Sequence, residues 1–248
     1  MQLPWPELLG MAVTVVLAHS VFGLTGFGAN IVALPFLVHV LPLKFVVPML
    51  LVLDLFTASL LGLKNRQRIQ WPELLRLLPW LLAGMVIGAT LLAKAPESWL
   101  LGCLGVFLLL YASWSLLNKS KPQPSSTRWA APAGLVGGTF TALYGTGGPI
   151  YTLYLARRLA DVVALRATMG GLVFGTALVR LGLFTGGGFY SQPGLLRLAA
   201  ILLPCALAGY LLGSRLHGKL PTQRLVQAVW VLLVFSGLSL LWRVWRGG

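Results

Sequence analysis

The chain has 248 residues, of which 57% are hydrophobic and only 10% charged, and its mean hydropathy is +0.85. A soluble domain carries about 25% charged residues. A water-facing surface is therefore excluded, and the continuous rather than alternating apolar runs favour helices over a barrel: an all-α integral membrane protein. The formal charge of +14 would suggest nucleic acid in a soluble protein. Here it falls between apolar runs, so the expected partners are the lipid bilayer and a small molecule, not nucleic acid.

In chain order, the first segment has no Lys or Arg ahead of it (MQLPWPELLG), so a cleaved signal peptide is not expected. Residues 8–42 form an apolar region interrupted by TGFGAN at 25–30, leaving arms of about 14–16 residues. Such lengths suit a re-entrant helical hairpin better than a crossing. Crossings are predicted at 45–63, 74–93 and 98–117, and a linker at 119–129. A second broken region, 130–156, carries YGTGGP at 144–149 and is followed by crossings at 167–185, 194–213 and 225–242. Cys103 and Cys205 lie inside apolar segments, where they behave as small hydrophobes and no disulfide is indicated.

Four basic loops, 64–70, 118–130, 157–166 and 215–224, alternate with near-neutral ones such as GGGFYSQ (186–192). With the basic loops cytoplasmic, the crossings count correctly if both broken regions enter and return on one side. Arg243 and Arg246 run against this bias.

An internal repeat underlies the pattern. GLTGFGANIVALPFL (23–37) matches ALYGTGGPIYTLYLA (142–156), PELLRL (72–77) matches PGLLRL (193–198), and PWLLAGMVIG (79–88) matches PCALAGYLLG (204–213). The chain divides into repeat 1 (1–118) and repeat 2 (130–248), each a glycine-broken hairpin followed by three transmembrane helices. Three is odd, so the second repeat enters the membrane inverted, as in many secondary transporters.

The breaks have a chemical use. A helix starting in mid-membrane exposes unpaired N–H groups and a positive dipole end, which suits an anion. Gly26 and Gly28 in repeat 1, and Gly145, Gly147 and Gly148 in repeat 2, let the chain turn and a ligand approach. Pro149 fits the first turn of the resuming helix. Thr25, Asn30, Tyr144 and Thr146 can donate to oxyanion oxygens. The competing reading, that such glycines only permit close helix crossing, is preferred for Gly84, Gly88, Gly209 and Gly213.

The tips TGFGAN and YGTGGP, each in an apolar hairpin trailed by three crossings, resemble the TauE/SafE family of sulfite and organosulfonate exporters across essentially the whole chain. Ala29 replaces a glycine of the family pattern in the first tip, and Tyr154 stands where a second proline is expected. The resemblance implies export of a small sulfur-containing oxyanion at a bacterial inner membrane.

Asp54 and Arg180 are the charges well inside predicted crossings, a costly placement that makes both functional candidates. In one reading Arg180 holds the anion while Asp54 carries a proton or gates; in the other they form an ion pair that fixes helix packing and touches no substrate. His19, just before the first tip, can take a proton near neutral pH or simply bond a backbone carbonyl. Tyr151 and Tyr154 are expected to pack rather than bind, and Arg76 to snorkel.

The predicted function is secondary transport of a small anion, with proton coupling left open, without cofactor or metal, and with room for a homodimer. A cation or metal transporter is disfavoured by five acidic residues in the chain and no ligand cluster. An enzyme is disfavoured by the lack of HExxH or GxSxG, and a non-transporting scaffold stays open.

Overall fold

The computed structural model describes residues 4–26, 28–64, 66–117, 126–216 and 222–246. Much of the predicted basic loops 118–130 and 215–224 lies outside these. Among the described residues ten α-helices carry the fold: α1 (Trp5–Thr25), α2 (Ala29–Leu37), α3 (Leu43–Lys64), α4 (Trp71–Lys94), α5 (Glu97–Leu117), α6 (Ala130–Tyr144), α7 (Gly148–Leu155), α8 (Val162–Gly186), α9 (Leu195–Leu216) and α10 (Thr222–Trp245). Among the described residues six helices (α1, α3, α4, α5, α8 and α9) are long and apolar enough to cross a membrane. This is a multi-pass, all-α membrane protein.

Both halves run through the same series: a helix, a glycine turn, a short helix, then three long helices. The arms of the two hairpins are unequal, against the expectation of similar halves. They measure 21 and 9 residues in α1–α2, and 15 and 8 in α6–α7. Nothing breaks the apolar run of α1 between Pro6, which starts it, and Gly26, which ends it. Soon after α2, Pro42 disfavours a helical Leu41.

Exposed Leu75, Leu78, Val86 and Ile87 line the outward face of α4, whereas its inward stripe is Leu77, Leu81, Gly84, Met85, Gly88 and Leu92. In water such an outer face would be an aggregation hazard; against lipid tails it is neutral. Small residues take over where backbones touch. A Cβ added to Gly84 would collide with the Leu135 carbonyl of α6, and one on Gly213 with the Ser20 carbonyl of α1. Gly88 meets Thr139 on α6, and Gly209 meets Val16 on α1. The contact therefore occurs twice, with each half's hairpin laid on the other half's glycine-spaced helix.

The centre is formed by α3 and α8, which pack on each other. The membrane-length window of α3 is 67% buried and that of α8 50%, against 28–39% for the other four. On these two helices Asp54 and Arg180 are kept from lipid, buried beside the glycine turns of α1–α2 and α6–α7.

Candidate functional site

A polar cavity of about 30 Å³ lies where the two glycine turns meet α3 and α8. Its wall contains Gly28, Ala29, Asn30 and Ile31 from the first hairpin, and Gly145, Thr146, Gly147, Gly148 and Pro149 from the second. Asp54 comes from α3 and Arg180 from α8. The first N–H groups of α2 have no acceptor inside that helix, whereas in α7 Pro149 has no N–H and Ile150 and Tyr151 donate to the Gly147 carbonyl at 3.1 Å. Both helices begin at this wall, so it receives two positive dipole ends.

The local backbone explains the glycines. Gly28, which caps α2, has φ 94°, and Gly145, which caps α6, has φ 70°, a region that a side chain makes costly. A Cβ on Gly145 would also strike the Asn30 amide and lie 2.9 Å from Arg180 Nη1. Gly147 serves a different purpose. Its missing side chain is replaced by Thr141 Oγ1, the Gly137 carbonyl and the Tyr151 ring, so it belongs to the packing of the hairpin while its backbone faces the cavity.

The charged centre is compact. Arg180, 2% exposed, donates from Nη2 to Asp54 Oδ2 at 3.2 Å and from Nη1 to the Thr141 carbonyl at 3.2 Å. Asn30 Nδ2 donates to the same Asp54 oxygen at 2.6 Å and reaches the Gly145 carbonyl at 3.5 Å. His19 Nε2 stands 3.9 Å from the other carboxylate oxygen, Oδ1, with Nδ1 3.0 Å from the Val15 carbonyl. Asp54 and Arg180 are thus an ion pair and cavity-lining residues at once.

The remaining candidates lie elsewhere. Tyr144 turns away from the cavity and donates its hydroxyl to the Leu100 carbonyl at 2.8 Å. Thr25 donates to the Val21 carbonyl of its own helix, and neither Thr25 nor Gly26 contributes to the wall. His19 also sits outside the wall, behind Asp54. Conversely, Tyr151 was expected to pack and does line the cavity, its hydroxyl 2.9 Å from Thr141 Oγ1. Through Thr141 it braces the carbonyl that holds Arg180. The signal was available: with Tyr151 three residues past Gly148, one helical turn returns its side chain toward the tip.

A second polar cluster escaped the sequence reading. Glu73, 7% exposed at the start of α4, accepts from Tyr154 Oη at 2.7 Å, Arg158 Nη2 at 3.0 Å and Arg76 Nη1 at 2.6 Å. Arg76 therefore pairs with a carboxylate instead of only snorkelling. The hydrogen bond and charge of Glu73 raise the pKa of Arg158 above its ordinary value. Arg166, assigned to the same basic loop, donates to the Gly23 carbonyl at 3.1 Å, near the C-terminus of α1. Among the described residues no group of His, Cys, Asp and Glu could hold a metal ion.

The sequence matches the family model described as sulfite exporter TauE/SafE over residues 11–240. It is also similar to the probable inner membrane transporter protein TsaS of Comamonas testosteroni. The two are 29% identical over 202 residues, covering 80% of this chain and 83% of that protein. No solved structure matches the chain at a significant level. A match spanning nearly all of α1 to α10, on a fold built for the bilayer, identifies a transporter rather than an enzyme: the chain belongs to the TauE/SafE family of membrane transporters.

Proposed function

We propose that the protein is a secondary transporter of a small sulfur-containing oxyanion, sulfite or an organosulfonate, that exports it by alternating access. The observation that carries this reading is the buried Arg180 guanidinium in a cavity walled by the starts of α2 and α7. A cation held away from lipid beside two positive helix ends favours negative charge. A cation or metal as cargo is disfavoured by the same surroundings.

The binding set is Gly28, Asn30, Gly145, Thr146, Gly147, Gly148 and Arg180. Asp54 competes with the anion for Arg180 and Asn30. Asp54, with His19 behind it, is read as the coupling or gating pair that sets how Arg180 and Asn30 are presented to the cargo. The two hairpins are read as re-entrant and the two halves as inverted repeats. The doubled contact of α1 with α9 and α6 with α4 supports that reading, because a pseudo-twofold axis exchanges one for the other. The basic loops are read as cytoplasmic and the location as a bacterial inner membrane. The matched transporter's name supports the latter.

Purified protein in liposomes tests the function. Sulfite, sulfoacetate, thiosulfate, sulfate and chloride are offered in turn as labelled solutes, with and without a pH gradient. Saturable flux of a sulfur oxyanion, lost in Arg180→Gln and altered by the pH gradient, is expected. Flux of divalent cations with none of any anion would overturn the proposal.

A further inference from the structure

Three buried polar atoms on residues of the cavity wall have no hydrogen-bond partner among the described residues: Arg180 Nε, Thr146 Oγ1 and Asn30 Oδ1. Their residues are 2%, 1% and 4% exposed. Buried polar atoms are almost always satisfied, so three orphans around one space describe what belongs in it. Two of them fit any oxyanion, since Arg180 Nε–H donates only and the Thr146 hydroxyl can rotate to donate.

Asn30 Oδ1 does not fit a plain oxyanion. Its amide orientation is fixed by its neighbours: the nitrogen faces Asp54 Oδ2 and the Gly145 carbonyl, both acceptors. That carboxylate oxygen also accepts from Arg180. Turning the amide over would set oxygen against oxygen, so Oδ1 is an acceptor waiting for a donor. The charges narrow the ligand further. Asp54 and Arg180 cancel as a pair, leaving the partial charges of two helix ends, which suit one negative charge far better than two.

Resting on the anion-transport reading above, we infer that the cargo is a singly charged oxyanion that itself carries a hydrogen-bond donor, an O–H or N–H directed at Asn30 Oδ1. For a sulfur oxyanion this selects a protonated or amino- or hydroxyl-bearing species over a fully deprotonated dianion or a simple alkyl sulfonate. A site built to bond an O–H or N–H rejects the analogue lacking it far more strongly than an apolar pocket rejects an extra methyl.

Sulfamate, methanesulfonate and sulfate separate these requirements at nearly constant size. Sulfamate is a monoanion with N–H donors, methanesulfonate replaces the amino group by methyl, and sulfate is a dianion without a donor. In proteoliposomes at neutral pH, sulfamate is expected to half-saturate flux at a concentration at least tenfold below methanesulfonate, with sulfate not carried. Asn30→Leu should erase the preference for sulfamate; if that variant does not assemble, the wild-type comparison stands by itself. Equal handling of sulfamate and methanesulfonate, or transport of sulfate as readily as sulfamate, would overturn the inference while leaving anion transport intact. Transport of sulfite with rejection of sulfamate would overturn it as well. Absence of flux for sulfite and all three probes would remove the anion-transport reading along with it.

Discussion

The hairpins α1–α2 and α6–α7, read as counterparts in the sequence, are held in different ways. The second is fastened by polar side chains at both ends. At its tip, Arg180 holds the Thr141 carbonyl and Tyr151 braces Thr141, while Tyr154 and Arg158 grip Glu73 at the far end. In the first, Pro35 occupies the position of Tyr154 and His39 that of Arg158. There His39 Nε2 stands 3.0 Å from Ser239 Oγ on α10, and Arg243 donates to the Val38 carbonyl. Gly194 stands where the other half has Glu73. A repeat can keep its backbone while dividing its chemistry: the first hairpin brings Asn30 to the cavity, and the second supplies most of the glycine wall.

Four substitutions would break or sharpen that contrast. The largest effect is expected from Arg180→Met, which strands Asp54 as a buried charge at a cost of about 3–5 kcal/mol. It should abolish flux and lower the detergent melting temperature. Retained flux would remove Arg180 from the site. Gly145→Ala comes next. It forces a side chain into the left-handed region, at roughly 1–2 kcal/mol, and pushes on Asn30 and Arg180 together. Flux should fall to background, whereas alanine at Gly175, where a Cβ meets nothing within 4 Å, should leave flux near wild type.

Glu73→Gln addresses the asymmetry itself. Weakening the clamp should speed amide exchange across residues 150–158 by roughly tenfold or more, leaving residues 29–37 unchanged. Equal acceleration in both hairpins would mean that they are not independently fastened. Thr141→Val should be mildest in its effect on transport, removing the two buried hydrogen bonds of the Thr141 hydroxyl, to the Gly137 carbonyl and to Tyr151, in a setting where such bonds average about 0.6 kcal/mol. A severalfold rise in half-saturating anion concentration, with little change in melting temperature, is its signature.

Local composition made parts of this arrangement legible. Asp54 and Arg180 stood out because a charge in an apolar run is expensive, and Gly28 and Gly145 because a helix interior tolerates glycine poorly. Gly84 and Gly213 were readable as crossing points from their four-residue spacing. Glu73 was hidden because it begins a segment next to basic residues, where a solvated carboxylate would look the same, and Arg158 lies far along the chain. Tyr144 misled for a related reason. Adjacency to the turn does not set which side of α6 a residue occupies, and this one falls on the side facing Leu100. The length of α1 was not legible: arms of about 14–16 residues were expected, whereas the first runs 21 residues, from Trp5 to Thr25.

The central claim is that the anion sits between the two glycine turns. Val173 lines that cavity from α8 without belonging to the polar set. With Cys103 and Cys205 replaced by alanine, Val173→Cys gives a single thiol in the wall. Its rate of modification by a small charged thiol reagent can be measured in liposomes with rising concentrations of the transported anion. Saturable protection, at the concentration that half-saturates flux, is the predicted result. A modification rate indifferent to an anion that the same protein demonstrably carries would contradict the account and move the site elsewhere.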